Sequence, residues 1–148
     1  MRLIGPWARS IPMRRTAPSP ASRKATAAVD ALLEALQHPH KPGIEHLRRA
    51  ILGVDSRIRE EVKWNAPSFR LQDHFATFKL YPSSSIQVVL HTGAKPQKPP
   101  RKFSLEGAGG LVKWAAPDRC IVTVANTDAA HDLGHVVASL VAQWIRQL

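Results

Sequence analysis

Only one cysteine, one tyrosine and two methionines occur among the 148 residues. The lone Cys120 excludes a disulfide within the chain, and a single thiol fits a reducing compartment, so the chain is expected in the cytoplasm. No stretch approaches the ~18–20 apolar residues needed to cross a bilayer, and no membrane span is expected. Residues 1–29 contain no carboxylate, while Arg2, Arg9, Arg14, Arg15, Arg23 and Lys24 all lie there. Six of the ten excess positive charges therefore belong to this leader, and residues 30–148 carry only +4. A nucleic-acid reading taken from the pI of 10.7 is mostly a reading of the leader.

The leader also lacks an apolar h-region, which argues against a secretory signal. Pro6, Pro12, Pro18 and Pro20 interrupt any amphipathic helix of the organellar-targeting kind. Residues 1–25 read as a disordered basic tail able to make weak contact with nucleic-acid phosphate. Residues 26–148 read as one domain, since an apolar fraction of 44% at this length supports a hydrophobic core.

Motifs for several chemistries are missing. There is no G-x-S-x-G elbow, and "SSS" at 83–85 reads as a hairpin turn. "EGAGG" at 106–110 lacks the Lys-Ser/Thr of a phosphate cradle. Cys120 sits in an apolar strand pattern, where a thiol behaves as a small hydrophobe. No catalytic residue and no cofactor is singled out. His131 and His135 stand one helical turn apart in "HDLGH", a spacing that suits a divalent metal. No third ligand is evident in the sequence, and the pair reads as solvated at a helix start.

What is present is ordered as helices, then strands, then a helix. Thr26 is the expected cap of a helix over 27–37 carrying Val29, Leu32, Leu33 and Leu36. Ile44, Leu47, Ile51 and Leu52 stripe a second helix that closes near Gly53. Asp55 is the expected cap of a short third helix with Ile58 and Val62 on its inner side. The period then shifts towards two in "HFATFKL" (74–80), "SIQVVLH" (85–91) and "RCIVTVA" (119–125), with "LVKW" (111–114) a further short strand. "TDAAHDLGHVVASLVAQWIRQL" closes the chain as a helix. This order predicts an α+β fold: an antiparallel sheet of four or five strands with N-terminal helices and one C-terminal helix packed on it. A Lys/Pro-rich loop carries Lys95, Lys98, Arg101 and Lys102.

The stretch K-W-x-A-P-x occurs twice, at Lys63–Trp64 and at Lys113–Trp114. The elements expected around the two copies differ, so the repeat reads as two similar turns, not a duplication. Around the first copy Trp64 and Phe69 can form an aromatic wall. Asn65 offers donors and acceptors, and Lys79 and His91 stand on neighbouring strands. Such a site suits a planar or anionic small molecule; the competing account makes Trp64 and Phe69 ordinary core aromatics.

Glu60, Glu61, Lys63, Trp64, Pro67 and Phe69, followed by Phe75, Ala76, Phe78 and Lys79, give an acidic pair, K-W-x-x-P-x-F, then F-A-x-F-K. This pattern resembles the YdhG-like family of small bacterial domains, over roughly residues 28–147. The resemblance implies a compact α+β domain without an established activity in most members, some of which are described as frataxin-like iron chaperones. Iron handling needs clustered carboxylates, and here they are few and scattered, with Asp73 beside His74, Lys79 and His91. The leading expectation is therefore a non-enzymatic module that binds a small ligand or a protein partner through Trp64, Asn65, Phe69, Lys79 and His91. A metal-handling accessory protein is the alternative. If the basic segments hold nucleic acid, binding should fall steeply between 50 and 200 mM salt, on the scale of about 10³-fold for six neutralised phosphates. It should also vanish on removal of residues 1–25; salt-independent binding by the truncated chain would contradict this.

Overall fold

A computed structural model describes residues 18–93 and 101–148. Lys95 and Lys98 of the basic loop, and residues 1–17 of the tail, lie outside the described residues. The first helix, α1 (Pro20–Ala35), starts before the expected Thr26 cap, because Ser19 accepts the Ser22 backbone N–H and Pro20 opens the helix. Residues 20–25, assigned by sequence to the tail, are therefore helical. Helix α2 (Lys41–Leu52) buries Ile44, Leu47 and Ile51 and ends at Gly53, as the stripe predicted. Gly43 lies where α2 meets α3 (Thr127–Gln147): a Cβ there would approach Ile86 Cδ1 to 2.7 Å and Thr127 Cα to 2.9 Å. Asn126 caps α3, accepting from Ala129 N at 2.8 Å, with Asp128 in its first turn and Arg146 in its last.

Among the described residues the sheet has six antiparallel strands: β1 (Arg59–Lys63), β2 (Ala66–Arg70), β3 (His74–Lys79), β4 (Ile86–Leu90), β5 (Val112–Ala116) and β6 (Arg119–Val124). Their order is β1-β2-β3-β4-β6-β5, which places the two K-W segments at opposite edges. Two corrections to the sequence reading follow. The expected third helix is strand β1, and the count of four or five strands is short by the β1–β2 hairpin. Pro67 lies inside β2, and its missing N–H coincides with the point where pairing to β3 begins, at Ser68. The two copies are not the similar turns expected: Trp64 is in a turn that follows strand β1, while Trp114 lies within β5.

Register alone sorts the side chains into two faces, since paired residues share a side. One cross-sheet row runs Glu60, Phe69, Ala76, Leu90, Cys120, Trp114. The adjacent row runs Glu61, Ser68, Thr77, Val89, Ile121, Lys113. The first faces the helices. Its Phe69, Ala76, Leu90 and Cys120 join Val29, Ile44, Leu47, Ile51, Leu140, Val141 and Trp144 in one core. Trp144 stacks on Phe103, with ring centroids 4.3 Å apart, and lies 6.0 Å from Trp114.

The polar member of this row is held by an ion pair. Arg48 of α2 donates through Nε and Nη2 to both Glu60 carboxylate oxygens, at 2.8 Å each, and Nη2 also reaches Asp30 of α1 at 2.8 Å. One guanidinium thus joins two helices to an edge strand, in the bidentate geometry that suits arginine. Glu60 is only 4% exposed, so truncating its partner would leave a buried carboxylate unpaired. Arg48→Ala is expected to cost about 3–5 kcal/mol of stability in urea unfolding. A loss below about 1 kcal/mol would show that the clamp is not holding β1.

Candidate functional site

The site begins at the β1–β2 turn. Trp64 and Asn65 have φ of 54° and 57°, the two positive values required by a two-residue hairpin of type I′. Asn adopts this region readily; for a bulky side chain such as Trp it is an outlier costing roughly 1–2 kcal/mol. The structure holds the Trp64 ring 59% exposed, with Lys63 Nζ 5.2 Å from its centroid and the His91 ring 6.0 Å away. The core reading of Trp64 is therefore wrong, and its exposed indole stands on a strained backbone of the kind that clusters at functional sites.

Beside it opens a cavity of about 380 Å³ lined by Trp64, Asn65, Thr77, Lys79, Tyr81 and Arg119, with Val89 at its base. Three of the expected site residues, Trp64, Asn65 and Lys79, line it together. His91 does not line it but lies beneath, 1% exposed. Phe69 belongs elsewhere: it is fully buried on the helix face, 6.0 Å from the Phe78 ring, so for Phe69 the core account holds. Tyr81 (65% exposed) and Arg119 were missed by the sequence reading. No motif marks either; only the pairing of β4 with β6 brings Arg119 across.

Under the cavity runs a chain of polar side chains that the sequence did not announce. Glu61 Oε1 lies 2.9 Å from His74 Nε2, and His74 Nδ1 lies 2.7 Å from Ser68 Oγ. Ser68 Oγ is 2.7 Å from Thr77 Oγ1, which is 3.0 Å from His91 Nε2. Ser68, Thr77, His74 and His91 are all buried. A β-bulge makes the chain possible. Phe69 pairs with Ala76 but Arg70 pairs with His74, so Phe75 is an extra residue that goes into the core. The extra residue brings His74 into phase with Ser68 and Thr77, as bulges re-aim side chains elsewhere.

The proton positions follow from one end. The Gly93 backbone N–H donates to His91 Nδ1 at 3.1 Å, so the neutral ring carries its hydrogen on Nε2 and donates to Thr77. Thr77 then donates to Ser68. Ser68 donates to His74 Nδ1 at 2.7 Å in preference to the Ala76 carbonyl at 3.3 Å. His74 Nε2–H is left facing the Glu61 carboxylate. Ser68 has the neighbours of a hydrolase nucleophile but no exposed surface, so its hydroxyl passes hydrogen bonds and does not attack substrate. The His91 carbonyl accepts from Trp144 Nε1 at 3.0 Å, which ties this layer to α3.

The other candidates separate in space. His131 is joined not by a ligand-rich cluster but by His46 of α2, with ring centroids 4.5 Å apart. Among the described residues no group of three or more His, Cys, Asp or Glu is placed to hold a metal ion. Cys120 is fully buried, and burial pushes its thiol up to about 12. Among the described residues no helix is long and apolar enough to cross a membrane. Comparison with protein-family models, with curated proteins and with solved structures finds no match to this chain.

Burial first, then the Arg119 cation, pushes His91 down to about 4 from an ordinary 6.5, with His74 and Lys63 adding to the effect. Between those values the unfolded chain binds the additional proton. The stability His91 contributes is thus full above about pH 6.5 and falls as pH drops towards 4, by about 3 kcal/mol. Chemical denaturation at a series of pH values should show this slope, and His91→Gln should flatten it; an unchanged slope in the variant would contradict the assignment.

Proposed function

We propose that the chain is a YdhG-like α+β domain whose Trp64 cavity binds a planar, anionic small molecule. The observation that carries this reading is the lining itself. Two exposed aromatic rings, Trp64 and Tyr81, line it with two cations, Lys79 and Arg119, and among the described residues no carboxylate lines the cavity. Its volume of about 380 Å³ lies within the range of small-ligand sites. Lys63 adds a third positive charge beside Trp64. Aromatic faces stack a flat ligand, and guanidinium or ammonium groups hold its charge. The strained Trp64 backbone supports the same reading, because a stability cost at an exposed position has no packing return.

A flat aromatic carboxylate such as 2-naphthoate is a suitable probe. Its binding should shift the Trp64 indole N–H resonance. Trp64→Asn and Lys79→Ala should each weaken it by about tenfold, the scale of one charge-assisted or stacking contact. Trp64→Asn removes the strained turn residue, so its stability should hold or rise by about 1 kcal/mol. Unfolding of Trp64→Asn, or unchanged affinity in both variants, would sink the reading.

A further inference from the structure

The buried polar chain beneath the cavity is more than the fold requires. Four buried hydrogen-bonding side chains sit together on one face of the sheet where apolar residues of similar size would pack without unsatisfied groups. Thr77 is the member that both lines the cavity and belongs to the chain. Its hydroxyl accepts from His91 and donates to Ser68, so what its oxygen has left is one lone pair and no hydrogen. A ligand that meets Thr77 must therefore offer a donor. At the far end, Glu61 is 39% exposed and receives the His74 Nε2–H.

We propose that the Trp64 cavity takes an anion carrying an ionisable hydroxyl, and that the chain Thr77–Ser68–His74–Glu61 withdraws its proton as a general base. This rests on the cavity being a ligand site. The step balances without any further reactant. The ligand O–H bond breaks and its proton bonds to Thr77 Oγ1. The Thr77 proton passes to Ser68 Oγ, and the Ser68 proton passes to His74 Nδ1. The resulting imidazolium donates from Nε2 to the Glu61 carboxylate, which neutralises it. The polarity of the whole chain has then reversed. His74 donates to Ser68, Ser68 to Thr77, and Thr77 to the ligand oxyanion, while His91 Nε2–H still donates to Thr77. No buried donor is left without a partner in either state, the condition for a relay of this kind.

The charges at the cavity end favour the same direction, whereas Arg70 at the far end opposes it. Lys79 of β3 and Arg119 of β6 line the cavity where the oxyanion forms, and Lys63 of β1 stands beside Trp64. Glu61 of β1, at the other end, has Arg70 Nη1 of β2 at 3.9 Å. Asp73 stands next to His74 in sequence. His91 is held neutral by burial and by the Arg119 cation, so it stays a fixed donor to Thr77 and not a competing base. Thr77 is thus the catalytic residue of this proposal, while Ser68, His74 and Glu61 act through it.

The test uses 4-hydroxy-3-nitrobenzoate, a flat carboxylate whose phenolate and phenol forms differ in colour, with 2-naphthoate as the partner lacking the hydroxyl. In the full chain the bound phenol should ionise about one pH unit or more below the free probe. The ¹⁵N resonances of His74 should move to imidazolium values as the probe binds. His74→Gln keeps a donor and an acceptor but takes no proton, and should abolish most of the shift while leaving 2-naphthoate affinity within about twofold. Glu61→Gln, at the exposed end of the chain, should reduce the shift and serves as the readout should His74→Gln not fold. An equal shift in both variants would assign it to Lys79 and Arg119 and overturn the relay. Binding of the probe without a shift, or of 2-naphthoate alone, would overturn it as well and leave the cavity reading standing. Failure of both probes to bind would overturn the two together.

Discussion

The hydrogen bond between Ser68 Oγ and His74 Nδ1, 2.7 Å long and out of contact with solvent, is the interaction on which the polar face of this protein depends. It exists because β3 carries one more residue than β2 across the same step. Without the extra Phe75, alternation along the strand would carry His74 to the opposite face from Thr77. With it, Phe75 enters the core and His74 meets both Ser68 and Glu61. A local irregularity of the backbone thus couples packing on one side of the sheet to chemistry on the other.

The two faces are held by different forces. On the helix side, apolar side chains from α1, α2, α3 and the sheet are closed off by the Arg48 ion pairs to Asp30 and Glu60. Burial there scales with apolar area, and geometry is forgiving within the limits of close packing. On the polar side each group depends on the donor state of its neighbour, so the arrangement tolerates little displacement. The Trp144 hydrogen bond to the His91 carbonyl joins the two regimes: the largest core side chain helps fix the strand end that carries His91. The cavity is set above this rigid layer, while the Trp64 turn and the side chains of Lys79, Tyr81 and Arg119 are exposed around it.

Much of the architecture was legible in the sequence. The stripes of α2 and α3 and the alternation of β3, β4 and β6 are strong periodic signals, and each element is present. The β1–β2 hairpin was not legible. Asn-Gly or Asp-Gly is the usual mark of such a turn, and here the positive-φ pair is Trp64–Asn65. The arginines and glutamates of residues 57–61 imitate a solvated helix surface, whereas Glu60 is buried against Arg48 from another element. Trp64, Asn65 and Lys79, singled out for their aromatic, amide and cationic side chains, line one cavity. Phe69 failed because alternation within β2 turns it away from Ser68, and the direction of that alternation is decided by pairing with β1 and β3. The polar chain draws one residue or two from each of four segments, and no local spacing announces it.

The donor order along that chain is open to direct observation. Long-range ¹⁵N–¹H spectra of histidine-labelled protein at pH 8 report which ring nitrogen carries hydrogen. Hydrogen is predicted on Nε2 of both His74 and His91, with Nδ1 accepting. Hydrogen on Nδ1 of His91 would break the donation from Gly93. Hydrogen on Nδ1 of His74 would reverse the Ser68 hydroxyl and remove the base towards which the relay runs.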